Sequence, residues 1–132
     1  MSQNNIVEKV TEYIEAHLEE ELSLDKIAGE LNYSKFYIAR FFAEKTGCTV
    51  YKYIQGRRMT VAAKKLAETE KPIVEVAYEA CYNSQQAFTL AFHQIYGCTP
   101  QMYRKNGVYY PAQTRIRMEK SGDYLWGGRM AA

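Results

Sequence analysis

Two short stretches of this chain carry side chains of the kind that read the edges of nucleic-acid bases. The first holds Phe36, Ala39, Arg40 and Ala43, and the second Gln86, Thr89, Leu90 and His93. Wound at about 100° per residue, each set falls on one side of a helix. The opposite side is apolar: Ile38, Phe41, Phe42 and the stem of Lys45 in the first helix, and Phe88, Ala91, Phe92 and Ile95 in the second. The two outer faces suit different partners. A guanidinium forks onto a guanine edge and an apolar ring meets a thymine methyl, so Arg40 and Phe36 fit those groups. Alanines beside them let the helix backbone come close. On the second face Gln86 can pair with adenine, while Thr89 and Leu90 can meet thymine methyls.

Each outer face needs a helix held by a core, and the sequence supplies the holder twice. Phe42, Gly47, Cys48, Thr49 and Tyr53 recur fifty residues later as Phe92, Gly97, Cys98, Thr99 and Tyr103. Upstream, Ala28, Glu30 and Tyr33 recur as Ala77, Glu79 and Tyr82, an offset of 49. One residue has therefore been inserted in the turn between the blocks. A repeat of this size marks a duplicated supersecondary unit.

The periodicity predicts helices throughout. Ile6, Val10, Ile14 and Leu18 face inward on a first helix, with Glu8, Glu12, Glu15 and Glu19 toward water. Ser23 caps a short helix containing Ile27, Ala28 and Leu31. A tight turn at Asn32-Tyr33 follows, and Ser34 caps the next helix, which stops before Gly47. Thr49 caps a long helix over residues 50–70. Pro72 opens another helix, Asn83-Ser84 the next, and Pro100 a last short one through Tyr103. The expected fold is all-α, with about seven to eight helices, two helix-turn-helix sub-domains, a long linker helix and a short non-helical tail. The expected divisions are 1–48 for the first sub-domain, 49–70 for the linker, 71–106 for the second sub-domain and 107–132 for a tail of unknown role.

Composition narrows the function classes. A chain of 132 residues with 47% hydrophobic content supports one compact domain or two small sub-domains. The net charge is +2, yet residues 1–30 carry −6 and the rest +8. Between Tyr33 and Arg58 six basic residues stand against one acid, Glu44, a distribution suited to a polyanion. The pairs Arg57/Arg58 and Lys64/Lys65 form a stripe open to phosphates, a partner protein or water, with water the first expectation. Cys48, Cys81 and Cys98 form no CxxC pair, which points to a reducing compartment. No apolar run reaches the ~20 residues of a membrane span, and no leader pattern is read. A cytoplasmic protein without cofactor, metal or membrane is expected. His17 and His93 lack ligand spacing. No GxSxG, HExxH, glycine-rich phosphate loop or paired apolar carboxylates is present, so an enzyme is not expected. The alternative is a helix-turn-helix adaptor that binds protein in place of DNA, which the twelve tyrosines and Leu90 would suit.

The stretches LSLDKIAGELNYSKFYIARFFAEKTG, YIQGRRMT and SQQAFTLAFHQIYGCTPQMYR, in this order and spacing, resemble the DNA-binding domain of the AraC/XylS transcription regulators. The likeness is to the small MarA/SoxS/Rob-type members and covers residues 5 to 105. It implies a monomer on double-stranded DNA that inserts two recognition helices into adjacent major-groove segments. An activator role is implied, with RNA polymerase a further candidate partner. The family's contacting positions fall on Phe36, Ala39 and Arg40, and on Gln85, Gln86, Ala87, Thr89 and Leu90. The full candidate DNA-contact set is Ser34, Lys35, Phe36, Ala39, Arg40, Ser84, Gln85, Gln86, Thr89, Leu90 and His93. Two positions depart from the family pattern: Leu90 where arginine is common, and Cys81 where glycine is common. Residues 73–103 also hold no Lys or Arg. Most non-specific affinity comes from neutralised phosphates, so the first unit is expected to dominate.

After Gly107, Thr114 to Glu119 alternates like a strand, with Tyr109, Tyr110, Tyr124 and Trp126 nearby. A remnant, the start of a further domain and a segment docked on the helices are all compatible with this pattern.

Overall fold

A computed structural model describes residues 3–118 and 124–125. Among them are seven helices: α1 Gln3–Ala16, α2 Leu24–Leu31, α3 Lys35–Thr46, α4 Val50–Glu68, α5 Ile73–Glu79, α6 Gln85–Tyr96 and α7 Pro100–Asn106. Five of the seven starts are fixed by hydroxyl caps. Ser23, Ser34, Thr49, Ser84 and Thr99 each accept a hydrogen bond from a backbone N–H in the first turn. Each such cap contributes about 1 kcal/mol. The two stops repeat as well: Gly47 (φ 72°) and Gly97 (φ 75°) adopt the left-handed conformation that glycine takes at least cost.

The two turns show where the insertion lies. Asn32 (φ 61°) and Cys81 (φ 68°) occupy equivalent left-handed positions. The next residue closes the same bond in both units, Tyr33 N–H to the Ala28 carbonyl and Tyr82 N–H to the Ala77 carbonyl, each 3.0 Å. Ser34 follows Tyr33 directly, whereas Asn83 separates Tyr82 from Ser84, so Asn83 is the extra residue. Cys81 is a non-glycine residue in a conformation that costs about 1–2 kcal/mol. Its thiol is exposed, and among the described residues its hydrogen-bond contacts are long, 3.8 Å to the Leu18 carbonyl and 3.7 Å to that of Glu20. Cys81→Gly is expected to stabilise the protein by about 1 kcal/mol, read as a higher urea midpoint. Cys81→Ala should give no such gain, and a destabilised glycine variant would refute the assignment of strain.

Two cores share α4. Val50, Tyr53 and Ile54 join Ile6, Val10, Ile14, Ile27, Ile38 and Phe42 in the first. Met59, Ala62, Ala63 and Leu66 join Val76, Ala77, Phe88, Phe92, Tyr96 and Tyr103 in the second. Some inward positions differ from the periodicity. Phe41 is only half-buried, edge-on to Tyr37 at 4.5 Å between centroids, and Lys45 is exposed. Thr46 is buried in its place, one turn beyond Phe42, its hydroxyl donating to the Phe42 carbonyl at 2.6 Å. Tyr96 occupies the matching position of the second unit and packs on Phe92 at 4.6 Å.

The stripe on α4 is not a solvated face. Arg57 Nη2 lies 2.6 Å from Glu15 Oε1, and Arg57 Nη1 donates to the Gln113 carbonyl at 2.7 Å. Arg58 donates to the carbonyls of Leu18 (2.9 Å) and Glu20 (2.6 Å). Lys65 pairs with Glu79 at 2.6 Å and Glu19 at 3.0 Å, and of the four only Lys64 remains well exposed. Burial alone would pull Arg57 below its ordinary pKa, but the hydrogen-bonded Glu15 carboxylate outweighs it and holds the guanidinium above that value. Glu15, expected in water, is thus an internal partner. The stripe turns inward because α1 lays its acidic side, and the last carbonyls after it, against the middle of α4.

Arg104 ties α7 to the end of α4, donating to the carbonyls of Leu66 (2.9 Å) and Lys71 (2.6 Å). Beyond Gly107 the chain docks back on the helices. Ala112, Gln113 and Ile116 are buried, Ile116 within the first core. Of the expected strand, Arg117–Met118 pairs antiparallel with Tyr124–Leu125, while Glu119 and Trp126 lie outside the described residues.

Candidate nucleic-acid interface

Helix α3 presents one candidate face. Burying Ile38, Phe42 and Thr46 turns positions 36, 39, 40 and 43 outward. Phe36 is 75% exposed, so it is not a lid on the core. Arg40 is exposed, while Ala39 and Ala43 are half-buried and leave the backbone open to approach. Ser34 is occupied as the cap, 3.2 Å from the Phe36 N–H. Lys35 lies over the Phe36 ring at 5.5 Å and pairs with Asp25 at 3.1 Å. Arg40 lies over the Phe41 ring at 5.8 Å and pairs with Glu44 at 3.2 Å. Such exposed pairs contribute about 0–1 kcal/mol, so a phosphate or guanine can replace the carboxylate. Removing the competing charge should therefore help. Glu44→Gln is expected to tighten binding to a duplex containing the preferred site by a few-fold at low salt, measured by fluorescence anisotropy. Unchanged or weaker binding would argue against Arg40 as the contacting group.

Helix α6 presents the second face. Phe88, Phe92 and Tyr96 are buried, and Gln86, Ala87, Leu90 and His93 are exposed. Thr89 and Gln85 are half-buried, and Ser84 caps the helix 3.1 Å from the Ala87 N–H. Leu90 stands 63% exposed in the middle of this face, without the charge a phosphate or guanine would call for. The structure brings Gln86, Thr89, Leu90 and His93 onto one side and adds no cation to them from α6 itself.

Two features near α3 were not among the expected contacts. Tyr51, 72% exposed, shares a surface hollow of about 310 Å³ with Ala39, Leu22, Leu24, Thr49 and Ile54. A second hollow, of about 170 Å³, places Tyr51 beside Cys81 and Tyr82 of the second turn. Tyr51 therefore stands between the first face and the turn before the second. Its signal in the sequence was its place beside Val50, which the helical winding turns inward. Lys52, next to it, is exposed too, as is Lys45.

Two helix pairs on a shared helix, each with an outward second helix, define a two-unit helix-turn-helix fold. A family profile described as a helix-turn-helix domain matches residues 27–106. The Tn10 transposon protein TetD of Escherichia coli is 39% identical over 104 residues, covering 79% of this chain and 75% of TetD. The transcriptional regulator Rob of Salmonella typhimurium is 37% identical over 109 residues, or 83% of this chain, but the chain spans only 38% of Rob. A solved transcriptional regulator from Chromobacterium violaceum, of the AraC-type DNA-binding-domain class, superposes with a TM-score of 0.74 at 26% identity. That match covers 79% of this chain and 93% of the other. The chain belongs to the AraC-type helix-turn-helix family of DNA-binding transcription regulators. It is a regulator and not an enzyme.

Proposed function

We propose that this regulator reads an asymmetric duplex site as a monomer, through α3 and α6 in adjacent major-groove segments, with the first unit dominant. The observation that carries this reading is the unequal chemistry of two otherwise repeated helices. The α3 face offers Arg40, Phe36 and Lys35, with Lys45 and Lys52 close in sequence, whereas residues 73–103 contain no Lys or Arg. The second unit is left with amide, hydroxyl and apolar contacts from Gln85, Gln86, Thr89 and Leu90, with His93 beside them. Its phosphate contacts fall to the helix N-terminus opened by Ser84. In this reading 1–48 and 71–106 are the reading units, 49–70 joins them, and the protein acts in the cytoplasm as an activator that meets RNA polymerase on the promoter. Among the described residues no helix is long and apolar enough to cross a membrane.

Selection of bound sequences from a random duplex library tests it. Two sub-sites about one helical turn apart, one strongly and one weakly constrained, are expected. A palindrome, or no enrichment at low salt, would overturn the reading, and the second result would favour a protein-binding adaptor.

A further inference from the structure

The family match ends at residue 106, yet the chain beyond it is built into both cores. The backbone N–H of Ala112 donates to Thr60 Oγ1 and to the Tyr96 hydroxyl, each at 3.0 Å. The N–H of Gln113 donates to the same Thr60 oxygen at 2.8 Å, and the N–H of Ile116 to the Tyr53 hydroxyl at 3.2 Å. Ala112 packs in the second core and Ile116 in the first. Between them the Gln113 carbonyl receives Arg57, the residue that also holds Glu15 of α1. The segment thus crosses α4 at the point where the two cores part.

A single helix joining two bodies lets them bend and twist about it. A second connection lying beside the first resists both motions. We propose that residues 109–116 form a strap that fixes the angle between the two reading helices, with Thr60 as its positioning residue. Thr60 is chosen because its one buried oxygen receives two consecutive strap amides. The strap contacts named above fall on Tyr53, Arg57 and Thr60 of α4 and on Tyr96, none of them a candidate base-reading residue; it would act on recognition by setting which separation of two sub-sites the protein accepts. This rests on the two-segment reading proposed above.

The test uses the full chain and three duplexes: the first sub-site alone, both sub-sites at the selected spacing, and both with about half a helical turn inserted. Wild type is expected to prefer the selected spacing by about ten-fold, since the second contact gains only when the geometry allows both. Thr60→Val should bind the single sub-site as wild type does and lose most of that preference. Thr60→Ser, which keeps the oxygen, should restore it. Full retention of spacing preference by Thr60→Val would overturn the proposal, as would an equal loss on all three duplexes. Should wild type show no spacing preference, the two-segment reading itself fails, and calorimetry then decides on the strap. One unfolding transition in wild type that separates into two in Thr60→Val supports it; a single transition in both overturns it.

Discussion

Arg40→Ala is expected to weaken binding to the selected site by about ten- to a hundred-fold, the effect of losing one bidentate contact to guanine of about 1–3 kcal/mol. The burial of Ile38 and Phe42 turns Arg40 outward, where it lies over the Phe41 ring and pairs with an exposed carboxylate on the same helix. Both partners are exposed and weak, so on the proposed reading little is lost when Arg40 turns to a base. Gln86→Ala and Thr89→Ala should cost clearly less at the same salt concentration. On the proposed reading both would contribute neutral contacts, and residues 73–103 hold no Lys or Arg to anchor their helix to phosphates. Parallel titrations of the three variants on one labelled duplex provide the comparison. Equal losses would remove the asymmetry and make the two units energetically alike.

Phe92→Ala is expected to cost about 3–5 kcal/mol of folding stability, read from urea unfolding followed by circular dichroism. Phe92 has no exposed surface and meets Phe88, Tyr96 and Tyr103 at ring centroid distances of 5.6, 4.6 and 5.4 Å. Truncation leaves a void that three rigid rings cannot fill, because the Tyr96 and Tyr103 hydroxyls are both held on the Tyr110 carbonyl. A domain of this size has about 5–15 kcal/mol in total, so the variant should lose a large share of its stability. A cost near that of an exposed phenylalanine such as Phe36 would contradict the aromatic cluster.

Much of this arrangement was legible in the residues. Serine and threonine caps and glycine stops act within one turn of chain, so Ser34, Gly47, Ser84 and Gly97 could be assigned by local chemistry. The inward positions of Ile38, Phe42, Phe88 and Phe92 followed from one angular period. Contacts between distant residues were not legible. Nothing local distinguishes Arg57 bound to Glu15, 42 residues away, from an arginine in water. The same applies to Lys65 with Glu19 and to the Thr60 hydroxyl beneath Ala112. Thr46 was hidden for another reason: a polar residue at a helix end reads as surface until its hydroxyl is seen to bond its own helix. The reading faces fall between these cases. Their outward direction is a property of each helix, whereas the exposed Tyr51 beside Ala39 depends on how α4 meets α3.

Ile116 is packed into a core whose other buried members lie within residues 6–54. A ribosome releases those residues long before it reaches Ile116. The first unit is therefore begun early and finished late, after every residue of the second unit has emerged. Domains made in order generally close in order, N-terminal first. Here the last piece of the first core arrives from beyond the second, through contacts of high sequence separation that form slowly. If residues 109–116 act as the proposed strap, the newly made protein passes through a stage in which α3 and α6 exist and their mutual setting does not, until that segment has docked.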